Sequence, residues 1–409
     1  MLKIDELILI VISLLGKLFS DKGGIFMIAL IHGKILTMVG QNFDDGVVLI
    51  EGRKIKAVGA DVEIPTKAEV LDLSGKWILP GLIDAHSHVG LYGEPSVWAN
   101  MDVNEDSTPN TPQLRAIDAI NPDDPAFQDI RRAGFTTVYT GPGSANIIGG
   151  IGIAIKTIGQ TIEEMILPGT EGMKFALGEN PKRVHGRQHH NYPTTRMGNA
   201  ALLREALVAA TNYLAKFEAA EAMKVPERDL HLEALGRVLQ REIKARIHCH
   251  RKDDILTAIR IAEEFNLDYI IEHCTEGYKI ADYLAQKKVK VTVGPLFMGR
   301  SKMELNQFQM ANPGVLNRAG VLVALQMDGG SETQWLPLAA GLAVREGMDE
   351  KEAFKALTIN AAKILGVAER IGSLEPGKDA DLAVFSGNPF HTYTICERTY
   401  INGQLVYQR

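Results

Sequence analysis

Cysteine is scarce in this chain. Cys249, Cys274 and Cys396 are an odd set without CxxC spacing, which excludes a disulfide framework and fits a reducing, cytoplasmic compartment. Charge of one sign is lacking too: the net charge of −6 and pI near 6.0 point to no nucleic-acid partner. Long apolar runs are missing. The run Leu7 to Leu15 is too short for about 30 Å of hydrocarbon, follows Asp5 and Glu6 rather than a basic cluster, and precedes no Ala-x-Ala site, so neither stable membrane insertion nor a signal peptide is expected. Residues 1–26 read instead as an upstream extension before a working start at Met27, with a short amphipathic anchor as the rival. Mass spectrometry of the native N-terminus separates the two. A nucleotide loop is also absent: GPGSANIIGGIG (141–152) fails the GxGxxG spacing and follows a strand inside a longer series, so it reads as a tight active-site loop.

What is present centres on PGLIDAHSHVG (80–90). An apolar run leads into two histidines two residues apart, and strand alternation of side chains sets His86 and His88 on one face. A single histidine would more often be a satisfied core residue. Paired imidazoles at the end of an apolar strand point to metal, for which imidazole is the commonest ligand. The 409 residues, 45% hydrophobic and 23% charged, suffice for a barrel of about 250 residues plus appended structure.

From Met27 to Leu79 short alternating segments separated by turns predict a small all-β unit. The C-terminal end repeats that character, with Pro376-Gly377 placed for a type II turn and Asn402-Gly403 for a hairpin. Both ends, 27–80 and 365–409, are therefore expected to build one β-sandwich around an inserted middle, 81–364. In the middle, apolar strands at 134–141, 172–178, 245–249, 267–273, 289–294 and 321–328 alternate with helical patterns such as Asn199 to Met223 and Asp253 to Phe265. With the His-x-His strand first and Gly152 to Lys156 as the third, eight strands predict an α/β fold of the (β/α)₈ TIM type. The C-terminal ends of such strands converge on one face. They carry His86, His88, Lys174, His248, His273 and Asp328, all of them side chains able to ligate or bridge metal.

Those residues, with PGLIDAHSH before them and EPGKDADLAVF after, resemble the amidohydrolase superfamily, in particular its imidazolonepropionase-related branch, over residues 27–409. The resemblance implies one or two divalent ions, usually zinc, and hydrolysis of a C–N bond. It places His86 and His88 on a deeper ion, His248 and His273 on an outer one, and Asp328 on metal and proton transfer. It also implies that Lys174, in GMKFALGEN, is carboxylated and bridges two ions, since an unmodified ammonium beside dications is unfavourable. The alternatives are an ordinary lysine paired to a carboxylate, or Glu179 as the ligand. His248 and His250 share a face and either could be the ligand; the resemblance favours His248, leaving His250 as a substrate contact or a catalytic group that polarises the carbonyl, while Cys249 and Cys274 turn away by strand parity.

Substrate choice is expected in the loops. Residues 91–125 hold seven acidic side chains and only Arg115 as a cation, whereas 179–199 hold Lys182, Arg183, Arg187 and Arg196, so the two segments are candidates for a paired lid. Arg183 and Arg196 are expected to hold a substrate carboxylate, and Ser144 and Asn146 to contact substrate. The implied function is a metal-dependent hydrolase of an amide, cyclic amide or dipeptide. A heterocycle deaminase with the same site and a catalytically inactive scaffold are the alternatives. The partner is a small molecule, and a homo-oligomer is compatible with the sequence.

Overall fold

The computed structural model describes residues 26–219 and 226–409, so the expected N-terminal extension, Phe26 apart, and the end of the Asn199–Met223 helix lie outside the described residues. Nine-residue strands β1 (Met27–Ile35) and β2 (Phe43–Glu51) pair antiparallel, β3 (Lys54–Gly59) continues the meander, and β4 (Glu69–Asp72) and β5 (Trp77–Pro80) run parallel to β1. The next strand, β6 (Leu82–Ser87), leaves this sheet and opens the barrel, followed by β7 (Phe135–Thr140), β8 (Ile148–Lys156), β9 (Gly172–Ala176), β10 (Lys244–Cys249), β11 (Tyr269–His273), β12 (Lys290–Val293) and β13 (Leu322–Leu325). The chain then returns: β14 (Leu382–Phe385) pairs with β5, and β15 (Cys396–Ile401) and β16 (Gln404–Gln408) complete the first sheet. Both chain ends share one sheet because β14 seals the edge that β5 would otherwise leave open.

Local chemistry agrees with the turns read from sequence. Gly377 has φ +90°, as the third position of a type II turn requires. Asn402 and Gly403 both have positive φ, at +52° and +75°, the conformation of a tight hairpin. A Cβ at Gly403 would stand 2.0 Å from the Gly52 carbonyl oxygen, so no other residue fits there.

The barrel departs from the expected uniform parallel order at its third strand. β8 begins at Ile148 rather than Gly152 and runs antiparallel to both β7 and β9. Only residues 141–147 separate β7 from β8, too few for the dozen or so that a parallel crossover needs. The reversal carries the end of β8 to the face opposite the histidines. There Lys156 meets Asp379, at 3.1 Å, and Asp381, both buried just before β14. Lys54 and Arg370 also reach Asp379, so an ion cluster ties the barrel to the sheet of the chain ends.

Between β13 and β6 the barrel closes through side chains as well as backbone. Asp84 accepts bonds from the His86 and Met327 amides and the Thr333 hydroxyl, and Asp328 N lies 3.4 Å from His86 O. Burial pushes the Asp84 carboxyl up to about 7 against those hydrogen bonds. Among the described residues no helix is long and apolar enough to cross a membrane.

Candidate metal centre

β6 delivers His86, and the turn that follows it delivers His88. Their rings sit edge to face with centroids 5.4 Å apart. Both Nε2 atoms face one oxygen, Asp328 Oδ1, at 2.9 Å and 3.2 Å. His273 ends β11, and its Nε2 stands 3.7 Å from the same oxygen. Asp328 lies beyond the end of β13 with φ +57°, and His273 has φ +66°. Left-handed backbone is unfavourable for residues with a Cβ and concentrates at functional sites. Here it turns both side chains into the barrel mouth.

The histidines are held from behind. His88 Nδ1 donates to Gly141 O at 2.7 Å and His273 Nδ1 to Gly294 O at 2.9 Å. His250 Nδ1 meets Thr275 Oγ1 at 2.8 Å, and Glu272 Oε1 lies 2.9 Å from His86 Nδ1, off the ring's N–H direction. An acceptor behind Nδ1 leaves Nε2 as the free lone pair, the arrangement that orients a metal-binding imidazole. His248 differs. Both of its ring nitrogens are buried without a hydrogen-bond partner, as is His273 Nε2. A buried polar atom left without a partner is costly, so these bare nitrogens call for a ligand. Two sets of donors lie within metal-binding reach: His86, His273 and Asp328, and His248, His250 and His273.

Electrostatics follow from burial. It depresses His248 and His250 well below the ordinary imidazole value and His273 to about 3, reinforced by neighbouring histidines at His248 and His250 and by Lys302. Neutral rings are what a cation needs. Burial acts to raise the Asp328 carboxyl, but the histidines around it, His273 first, outweigh this and hold it well below the usual range.

Lys174 lies on β9 inside the barrel. Its Nζ is 2.6 Å from Glu272 Oε2 and 3.4 Å from His86 Nε2. Arg246 donates to Glu272 Oε1 at 2.7 Å and stacks 3.6 Å from the Tyr139 ring centroid. Sequence reasoning missed Glu272, Arg246, Lys302 and Glu304. A signal existed for the first two: β9, β10 and β11 are apolar strands that each carry an unexplained charge, Lys174, Arg246 and Glu272, and these three meet. Alternation would separate the neighbours Glu272 and His273, but the left-handed turn at His273 brings both to the centre. Cys249 and Cys274 are buried free thiols, Cys274 pushed up to about 12 by burial, and neither belongs to a donor set.

The expected substrate residues fall elsewhere or take other partners. Arg196 opens the helix Arg196–Glu218, and its Nε lies 2.9 Å and 3.0 Å from the two oxygens of buried Asp254, tying that helix to the helix Lys252–Glu264. Asn146 is engaged with three neighbouring loops: its amide donates to Glu105 O and Thr111 Oγ1 and accepts from buried His185. Ser144 accepts from Asn180 at 2.8 Å. Glu179 exchanges backbone-to-carboxylate bonds with Glu304 outside both donor sets. Arg183 is exposed, without an ion pair among the described residues, and lines an open cavity of about 330 Å³ with Glu179, Lys182 and Arg187. The acidic and basic loops do meet, at His189 and Asp106, 3.4 Å apart.

Known proteins carry the same architecture. The profile of the Amidohydrolase family matches residues 77–406. The crystal structure of an amidohydrolase from Thermotoga maritima is 44% identical, superposes with a TM-score of 0.90, and aligns over 93% of this chain and 100% of its own. Imidazolonepropionase from Geobacillus thermodenitrificans is 27% identical over 85% of each chain. Amidohydrolase tasK from Hapsidospora irregularis is 27% identical over 88% of this chain, which spans 39% of the length of tasK. Family profile, barrel and histidine cluster agree: the chain belongs to the amidohydrolase family, on the branch related to the imidazolonepropionases.

Proposed function

We propose that the chain is a divalent-metal-dependent hydrolase that cleaves a C–N bond in a small molecule, with cyclic amides first among the substrates and dipeptides and other amides next. One observation carries the reading: the Nε2 atoms of His86, His88 and His273 converge on Asp328 Oδ1, while His88 Nδ1 and His273 Nδ1 each donate to a backbone carbonyl behind the ring. The relatives named imidazolonepropionase favour the cyclic amide.

His86, His88, His273 and Asp328 would hold one ion, zinc before others because the set is imidazole and carboxylate. Such an ion supplies Lewis acidity, polarising a carbonyl and lowering the pKa of water from about 15.7 to about 7. Asp328 Oδ1 takes the proton from the attacking water and returns it to the departing nitrogen, first as base and then as acid. Its low pKa keeps it ionised and ready for the first of these steps. Gly141 O and Gly294 O hold the His88 and His273 rings in place.

Lys174 is read as an ammonium. Glu272 stands 2.6 Å from its nitrogen, and a carbamate there would set two anions side by side, whereas the ammonium completes an ion pair. Elemental analysis of protein purified without chelators, with and without bicarbonate, tests both parts. One equivalent per chain, indifferent to bicarbonate, is expected. No bound metal would overturn the reading, and two equivalents that depend on bicarbonate would restore the carbamate.

A further inference from the structure

The second donor set, His248, His250 and His273, is complete in residue types but not in free electron pairs. The nitrogen of His250 that faces the set, Nε2, lies 3.1 Å from the ammonium of Lys302. An ammonium can only donate, so this contact fixes the proton of His250 on Nδ1, facing Thr275, and uses up the lone pair a metal would need. The lysine is itself held by Asn180 Oδ1 at 3.1 Å and by Glu304 Oε1 at 2.6 Å, and Glu304 is buried. Two hydrogen-bond acceptors and one carboxylate counter-charge thus surround the ammonium.

We propose that Lys302 occupies the place of a second cation, withholding His250 Nε2 from metal and limiting the centre to one divalent ion. The inference rests on the metal-dependent reading above. A dication on His248 and His250 would meet the ammonium at close range, and like charges in a buried site repel strongly. Lys302 is also the member of the arrangement that is not carried on a barrel strand. Its side chain keeps 19% of its exposure, it follows β12 in the connecting loop rather than on a barrel strand, and the same loop leaves Phe297 and Met303 exposed. The bare nitrogens of His248 are then the half of a second site that the lysine keeps unfinished.

The test is titration of metal-free full-length protein with Co²⁺, followed by calorimetry and by the visible absorption of the bound ion. Parent and Lys302→Arg are expected to bind one equivalent tightly. Lys302→Met should bind a second, at least about tenfold more tightly than any second ion in the parent. The double variant Lys302→Met with Glu304→Gln removes the carboxylate charge left behind and serves where the single variant is unstable. Equal stoichiometry and affinity in parent and Met variants overturn the role of Lys302, as do two equivalents in the parent. A parent that binds no Co²⁺ overturns the metal-dependent reading instead.

Discussion

Replacing Glu272 by glutamine tests the charge of the barrel centre with a change of very few atoms. The carboxylate divides its two oxygens between two buried cations, Lys174 at 2.6 Å and Arg246 at 2.7 Å. Burial acts to raise its pKa, and the charges of His86, Lys174 and Arg246 outweigh this and hold it well below the ordinary range. Glutamine keeps one acceptor oxygen and turns an NH₂ donor towards the other cation. One hydrogen bond to a charged group is lost, worth about 1.5–3 kcal/mol, and a buried cation loses its counter-charge, which costs about 3–5 kcal/mol. The two losses overlap, so a net destabilisation of about 3–5 kcal/mol is expected. Urea unfolding followed by circular dichroism should show a lower midpoint at unchanged slope. The double variant Lys174→Met with Glu272→Gln should recover part of the loss, because Arg246 alone can use the remaining oxygen. The sign is diagnostic. A carboxylated Lys174 would make Glu272 a repelling neighbour, and Glu272→Gln would then stabilise the protein. A change within about 1 kcal/mol of the parent, or any stabilisation, would refute the ammonium triad.

Asp328→Asn should lower kcat by about 10²–10⁴-fold, the usual worth of a general acid–base, with the thermal midpoint as the control for folding. Arg183→Met is expected to raise KM for carboxylate-bearing substrates. Arg196→Met should instead lower the unfolding midpoint and leave KM unchanged, since its Nε is committed to Asp254. Stability against acid has a defined sign at the ion cluster under the barrel. Burial opposes ionisation of Asp379, but Lys156, Lys54 and Arg370 hold its carboxyl at about 2, below its ordinary 3.8. A folded-state pKa below the unfolded one adds stability above the unfolded value, and that stability is lost as pH falls through the folded value. The unfolding midpoint should therefore decline between pH 3.8 and about 2, and Lys156→Met should flatten that decline.

Where the chain changes sheet was legible because turn chemistry is local. Pro376-Gly377 and Asn402-Gly403 impose backbone angles that their neighbours cannot alter, and both turns formed as expected. Strand direction is not local in that sense. The segment GGIGIAIK reads equally well in either direction, and only the shortness of residues 141–147 betrays that β8 must run back along β7.

The site divides along the same line. His86 and His88 were legible because period-two alternation predicts a shared face, which holds although β6 ends at Ser87, and Asp328 because it follows an apolar strand. Glu272 was hidden by that same rule: alternation allows only one of two adjacent residues to face inward, and the left-handed backbone at His273 admits both. Arg246 and Lys302 are of a different kind, for their meaning lies in partners distant in sequence. Arg246 answers a carboxylate on the next strand, and Lys302 answers a histidine two strands away. Arg196 belongs with them: its Nε pairs with a buried aspartate on a later helix, a partner that the composition of its own loop does not announce. Single-sequence reading thus finds the donor side chains that converge at the strand ends, but the charged partners that face them come from elsewhere in the chain. On the reading proposed above, the counter-charge that matters for the second donor set is Lys302, 3.1 Å from His250 Nε2.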